Sequence, residues 1–550
     1  MQIIVILVSV LVFVFLTSLY EQNKKNRKLR KFIEGQFGKK PIISKKDFEK
    51  IGHYWSEYSE SIPNDEKVDG TTWDDLEMDK VFCRINNCNS FVGEQILYFL
   101  LHCLPKNNLH TELLEKKICF FASNDKEREE IQFLLSGLSK DDRCYYLPKF
   151  IANLNLFEIS DIWIYRLMQV LLALSVLPAI ILQKFVLFYL TGFIFLINLV
   201  IYIKGKIVYE AHLDTLDSII DLVVVGNRIV NTKKFMYESK FNDLKKEVAL
   251  LKRLSHFVNR IKNKKDATIS GDFFAILSDY LIGATLWDFV KYDQIIRELK
   301  YRQNEFLELY KRVGEIDVAI TIASFRKSLS LFCTPTFHKE HKLKMEQIYH
   351  PLIDEPVCNT VTIDKSCIIT GSNASGKSTY IKAVAINIIL AQSIHTCMAK
   401  QMVLPYARII TSMAVRDDLM AGESYYIKEI KYLNRIIKNL SEERLVICAI
   451  DEILRGTNTE ERIAASASIL RFLHKKNCIA IVASHDIELT KILDEMYDNY
   501  HFREQMQDKD IAFDYKIYKG ASNSKNAIKL LEYIGFPDEV IAEARNIDWR

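Results

Sequence analysis

Gly371-Ser372-Asn373-Ala374-Ser375-Gly376-Lys377-Ser378-Thr379 decides how the C-terminal part of this chain folds. An apolar, β-prone run, Cys367 to Thr370, precedes it, and a helix-like run, Tyr380 to Gln392, follows. Strand, glycine loop and helix in that order make a phosphate cradle. Glycines at 371 and 376 let the backbone curl so that its N–H groups point inward, and the helix N-terminus adds partial positive charge. Lys377 is placed to reach β- and γ-phosphates, and the Ser378 hydroxyl to ligate Mg2+. The spacing Gly-x4-Gly-Lys-Ser fits without a gap.

Working outward, Arg444 to Ile450 is an apolar strand that ends in Asp451-Glu452. Downstream of a phosphate loop, such carboxylates suit Mg2+ and water: Asp451 to hold the ion, Glu452 to orient or deprotonate the attacking water. Cys478 to Ala483 is a third such strand and ends in Ser484-His485-Asp486. His485 could sense or polarise a γ-phosphate, although a histidine there also reads as an ordinary surface residue. Gly422-Glu423-Ser424 opens a helix at Tyr425. Ser424 is either a second anion-binding turn or a simple helix N-cap. Buried β-type runs alternating with helical runs over 340–520 predict a mostly parallel sheet.

The rest of the 550 residues is helical in pattern, with room for three or four domains. A net charge of +4 names no partner by itself, and the eleven cysteines contain no C-x-x-C pair, as in a reducing compartment without a zinc or disulfide frame. Ile3 to Leu19 is apolar and just long enough to cross a bilayer, with lysines and arginines from Lys24 to Lys31 behind it. Ile162 to Leu182 and Phe185 to Ile203 are two more apolar runs, split only by Gln183-Lys184 and followed by Lys204 and Lys206. They predict a membrane hairpin that enters from and returns to the cytoplasm. Between 241 and 261, apolar residues from Phe241 to Ile261 recur at three- and four-residue steps beside a basic face (Lys245, Lys246, Lys252, Arg253, Arg260, Lys262, Lys264, Lys265). That pattern predicts a coiled-coil-like arm.

Together these motifs resemble the MutS family of DNA mismatch-repair ATPases. GSNASGKSTYIKAVA is similar to the family's phosphate loop, GESYYIKEI to its signature segment, DEILRGTNTEER to its Mg2+-carboxylate segment and ASHDIELTKI to its histidine switch. The tail from Tyr515 to Arg545 and the His350-Pro351 pair also resemble the family, and Asn359 stands where the family has an asparagine near the adenine. The segment from Asp75 looks like the start of the helical lever. The resemblance implies ATP and Mg2+ as cofactors. It implies nucleotide binding by Gly371 to Thr379 and Asn359, Ser424 acting in trans within a homodimer, and DNA as ligand. No mismatch-reading domain precedes the lever and no long extension follows Arg545, so mismatch selection is not expected to carry over.

The expected fold class is an α/β phosphate-loop ATPase domain of ABC type with a mostly parallel sheet, an α-helical lever and three transmembrane helices. The expected division is a transmembrane anchor (1–20), a basic cytoplasmic linker (21–45), a first helical core part (46–160), a transmembrane hairpin (161–204), a second core part (205–335) and the ATPase domain (336–550). The expected protein is a membrane-anchored, multi-pass ATPase facing the cytoplasm. A membrane-remodelling or transport-type ATPase, or an ATP-gated protein scaffold without DNA, are the alternatives.

Overall fold

The computed structural model describes residues 2–42, 46–232, 244–251, 280–372, 375–413, 425–454, 458–507, 510–521 and 534–546. Its C-terminal part is built on β4 (Cys367–Thr370), β6 (Arg408–Ser412), β7 (Val446–Asp451), β8 (Cys478–Ala483), β9 (Asp498–Gln507) and β10 (Asp510–Lys519). These pair in the order β10-β9-β4-β8-β7-β6. All neighbours are parallel except the β9–β10 hairpin. β4, β6 and β7 are buried at every position, which is why they read as unbroken apolar runs and not as alternating ones. A smaller sheet, β1 (Thr336–Phe337), β5 (Gln401–Leu404), β2 (Leu343–Ile348) and β3 (Asn359–Ile363), flanks it in the order β1-β5-β2-β3.

The helices named below, in chain order, are α1 (Gln2–Gln36), α2 (Gly70–Asp75), α3 (Phe91–Leu101), α4 (Leu109–Ser123), α5 (Ile162–Leu182), α6 (Phe185–Val230), α7 (Trp287–Tyr301), α8 (Gln303–Lys327), α9 (Lys377–Ile394), α10 (Tyr425–Lys438) and α11 (Thr459–His474). α8 packs against α3 and α4 as the spine of the helical body. Its approach to α3 is close: a Cβ on Gly93 would lie 2.3 Å from Asp317 Oδ2, and one on Gly314 2.3 Å from Ile96 Cγ1. Asp317, fully buried, accepts from the N–H groups of Asn89 (3.0 Å) and Ser90 (2.8 Å) and from Ser90 Oγ (2.6 Å), and so caps the start of α3 from across the interface. Glu94 on α3 is also fully buried and takes Lys46 (2.7 Å), Lys140 (2.9 Å) and Asn86 (3.0 Å). Burial pushes its carboxyl upward, but the two ammonium groups win and hold it at about 2.

The helical body and the sheet share one hydrophobic core, which runs from Ile51 through α8 to β4 and Phe502. α2 is bolted to the edge strand β6. Thr411 Oγ1 donates to Asp75 (2.6 Å), the Met413 N–H donates to the same carboxylate (3.1 Å), and Arg435 of α10 pairs with Asp69.

Among the described residues two helices are long and apolar enough to cross a membrane, Leu154–Leu182 and Phe185–Lys206. Three spans are expected from the sequence, and two helices of that length and apolarity are found among the described residues. The N-terminal apolar run lies in α1, which does not stop at residue 20 but continues as one helix through the basic stretch to Gln36. α6 likewise does not end with the apolar run. Its 46 residues continue into the helical body, where Leu216, Ile219, Leu222, Val223 and Ile229 are buried. At 1.5 Å per residue it is a rod about 69 Å long. Of the expected arm, residues 244–251 are helical with Leu244, Val248 and Leu251 buried. Phe241, Lys252, Arg253, Arg260, Ile261, Lys262, Lys264 and Lys265 lie outside the described residues.

Candidate nucleotide-binding site

β8 lies between β4 and β7, and this order assembles the site. Register places Ile369, Ala483 and Asp451 in one row across the sheet. The Ser484 N–H donates to Ile369 O (3.0 Å) and the Glu452 N–H to Ala483 O (3.0 Å). Three loops far apart in sequence therefore leave the same sheet edge side by side.

The first is the phosphate loop. Gly371 has φ +148° and Gly376 φ +101°, conformations that an L side chain rarely adopts. A Cβ at Gly376 would also come within 3.1 Å of the Tyr515 ring. α9 starts at Lys377, so its unpaired N–H groups face the loop. Lys377 is buried, and its Nζ donates to Gly371 O (2.6 Å) and Ser372 O (2.7 Å) and lies 3.4 Å from His485 Nε2. Ser375 is buried, with its hydroxyl on Ser372 O (2.8 Å). Ser378 and Thr379 follow in the first turn of α9. Asn373 and Ala374 lie outside the described residues.

The second and third loops carry the acid and the imidazole. Glu452 sits at φ +62°, a left-handed conformation that costs a non-glycine residue about 1–2 kcal/mol. Its Oε1 meets His485 Nε2 at 2.9 Å. Arg462 of α11 grips Asp486 with two bonds (3.0 and 2.6 Å) and steadies the turn that presents His485. Asp451 is 7% exposed, and its Oδ1 has no hydrogen-bond partner among the described residues. A buried carboxylate oxygen left without a donor is costly, and a hard divalent cation with oxygen ligands would satisfy it. The donor set of Asp451 and Ser378 thus fits Mg2+. Ser424 lies outside the described residues, which resume at Tyr425, the first residue of α10.

Beside the first turn of α9 opens a cleft of about 400 Å³, lined by Ile348, His350, Ile353, Val357, Phe502 and Tyr515 among others. Asn359 lines it too, but both ends of its amide are engaged by the β9–β10 hairpin: Nδ2 donates to Tyr515 O (3.0 Å), and Oδ1 accepts from the Ile517 N–H (2.9 Å). Asn359 therefore positions Tyr515 over the cleft. Tyr515 itself, at φ +52° where the hairpin register shifts, is a site residue that sequence reasoning did not single out. Its only signal in the sequence is an aromatic residue at the start of the family-like tail. Burial lowers His350 to about 4, so it is a neutral acceptor for the Leu352 N–H (3.2 Å).

The far end of α9 was missed as well. Arg326, the penultimate residue of α8, donates to His395 O (2.8 Å) and Thr396 Oγ1 (3.0 Å) just past the helix end. Glu115 of α4 accepts two bonds from Arg326 (2.7 and 2.6 Å) and lies 2.9 Å from His395 Nδ1. The helix that begins at the phosphate loop thus ends clamped to the helical body.

Residues 367–549 match the family described as MutS domain V. Through this domain the chain is similar to the MutS family. The MutS match agrees with an ATPase-like α/β domain over the sheet just described. The DNA mismatch repair protein MutS of Pseudothermotoga lettingae is 30% identical over 268 residues, 46% of this chain and 33% of that protein. The protein of the same name from Thermotoga maritima is 28% identical over 266 residues, again 46% and 33%. That from Streptococcus thermophilus is 29% identical over 266 residues, 46% of this chain and 31% of its own. The chain spans about a third of the length of these relatives.

Proposed function

We propose that this MutS-family chain is a membrane-anchored ATPase, facing the cytoplasm, whose ATP cycle moves the helical lever on DNA without selecting mismatches. The observation that carries the reading is the row of strand ends that brings Lys377, Asp451 and the Glu452–His485 pair to one edge. The cleft takes the base, with Tyr515 as a stacking face and Ile348, Ile353 and Val357 as apolar walls. The loop N–H groups and the start of α9 hold the phosphates. Lys377, which now bonds its own loop carbonyls, transfers those bonds to the β- and γ-phosphates. Asp451 and Ser378 would hold Mg2+, which supplies charge neutralisation at the phosphates. Glu452 orients the attacking water and accepts its proton, and His485, bonded to Glu452 and near Lys377, registers whether the γ-phosphate is present.

In this reading the working unit is a homodimer, with Ser424 of one copy completing the site of the other. DNA is held through its phosphates by basic lever residues such as Lys245 and Lys246. The second reading, a membrane-remodelling ATPase, is favoured by one observation: α6 runs unbroken from the apolar hairpin into the helical body. Glu452→Gln tests the chemistry. It should leave ATP binding intact and slow hydrolysis by about 10²–10⁴-fold, the usual value of a positioned general base, while Lys377→Ala weakens binding itself. Hydrolysis at the wild-type rate by Glu452→Gln would remove the assignment. Salt-sensitive DNA binding by the full chain in detergent separates the two readings.

A further inference from the structure

The hairpin of α5 and α6 carries an exposed apolar face, interrupted near its start by Arg166, whose guanidinium reaches Asp293 of α7 at 3.7 Å. On α5 it runs from Trp163 (61% exposed) through Leu167, Leu174 and Leu177 to Leu182, and on α6 from Phe185 to Ile203. At 1.5 Å per residue these faces are about 28 and 27 Å tall. That height matches the hydrocarbon core of a bilayer, about 30 Å. The boundary then falls at Trp163 on one helix and Lys204 on the other.

Residues 280–287 do not lie below that boundary. Gln169, six residues and about 9 Å further in than Trp163, donates its amide to Thr285 O at 2.9 Å. Tyr202 packs so closely that a Cβ on Gly283 would lie 2.2 Å from its ring, and a Cβ on Gly205 would lie 2.5 Å from Phe289. The segment is thus held with Thr285 about 9 Å inside that boundary and Gly283, beside Tyr202, about 3 Å inside it, a depth where lipid, not water, is the neighbour. Its outward side chains agree: Leu281 is 50% exposed, Ile282 49% and Trp287 47%. Its backbone agrees as well. The N–H groups of Ala284, Thr285 and Leu286 donate to Tyr280 O, Ile282 O and Gly283 O, and Gln169 satisfies the Thr285 carbonyl. Irregular backbone at membrane depth requires such internal satisfaction. Lys206 lies 5.2 Å from the Tyr280 ring centroid and Lys291 4.7 Å from that of Trp287, the aromatic–lysine pairing found at headgroup level. Were the segment in water, the boundary would have to rise to Gln169. The hairpin would then offer only about 20 Å of apolar height, some 10 Å too little, and Trp163 and Leu167 would be left in solvent.

We propose that residues 280–287 form an interfacial membrane element, which enters the headgroup–acyl boundary of the leaflet facing the helical body and seats α7 against it. The inference rests on the membrane reading of the hairpin, and the test keeps the two apart. The full chain is reconstituted in phosphatidylcholine–phosphatidylglycerol vesicles with the photoreactive residue p-benzoylphenylalanine placed, one site at a time, at Ile282, at Phe193 within the span, or at Phe472 in the ATPase domain. After irradiation, lipid adducts are measured by mass. The expected result is adducts at Ile282 within about three-fold of those at Phe193, and none at Phe472. Adducts at Phe193 with none at Ile282 would overturn the interfacial element and leave the hairpin reading standing. Absence at both sites would overturn both.

Discussion

Replacing Glu115 by Gln isolates the clamp that ties the phosphate-loop helix to the lever. Glutamine has the shape of the protonated acid, so its cost can be worked from the carboxyl's own titration. Burial would raise Glu115, but the bidentate Arg326 and the His395 ring hold it at about 2, down from the ordinary 4.5. At about 1.4 kcal/mol per pH unit, discounted because solvent reaches part of the carboxylate, that displacement is worth about 3 kcal/mol to the clamped state. The value agrees with the 3–5 kcal/mol or so expected when one partner of a buried ion pair is removed, because Arg326 stays buried. The assay is hydrogen exchange on the full chain in detergent, read on peptides covering 109–123 and 388–397. A loss of about 3 kcal/mol appears there as opening of order 10²-fold faster. The contribution is fully present above pH 4.5 and fades as the pH falls toward 2, since the folded-state carboxyl is the depressed one. Wild type and Glu115→Gln should therefore converge on acidification. Exchange within about two-fold of wild type at pH 7 would refute the clamp.

Four further outcomes are expected. Gly93→Ala should destabilise the helical body by about 2–3 kcal/mol, read as a lowered Tm, because Asp317 is pinned by Asn89 and Ser90 and cannot withdraw from the new Cβ. Gly70→Ala, with no atom within 4 Å of its Cβ, should change nothing. Mixing Ser424→Arg chains with Lys377→Ala chains should restore one intact composite site per heterodimer, and heterodimers that form without recovered hydrolysis would refute the trans arrangement. In competition at fixed salt, matched and mismatched duplexes should bind alike. A preference of ~100-fold, about 2.7 kcal/mol, would show a mismatch reader in the chain.

The sequence by itself determined the elements whose chemistry is local. The phosphate loop needs glycine at two positive-φ positions, and Gly371 and Gly376 declare them. β4, β7 and β8 are buried on both faces, so their apolar runs and the polar residues at their ends were legible without a partner strand. The apolar hairpin was legible too, since each of its runs is long and apolar enough to cross a membrane by length and composition. What only the tertiary structure decided depends on strand order and on contacts between distant residues. Nothing in the spacing of Glu452 and His485 puts them 2.9 Å apart; the insertion of β8 between β4 and β7 does. Asn359 lines the cleft, but that its amide holds the backbone of Tyr515 and Ile517 shows only in the fold. Arg326, Glu115 and His395 stand 69 to 280 residues apart and carry no motif, because an ion pair between three helices leaves no period in any one of them. The contact of residues 280–287 with the hairpin is of the same kind: a polar Gln169 in an apolar helix reads as a blemish, and only the fold shows that it bonds Thr285.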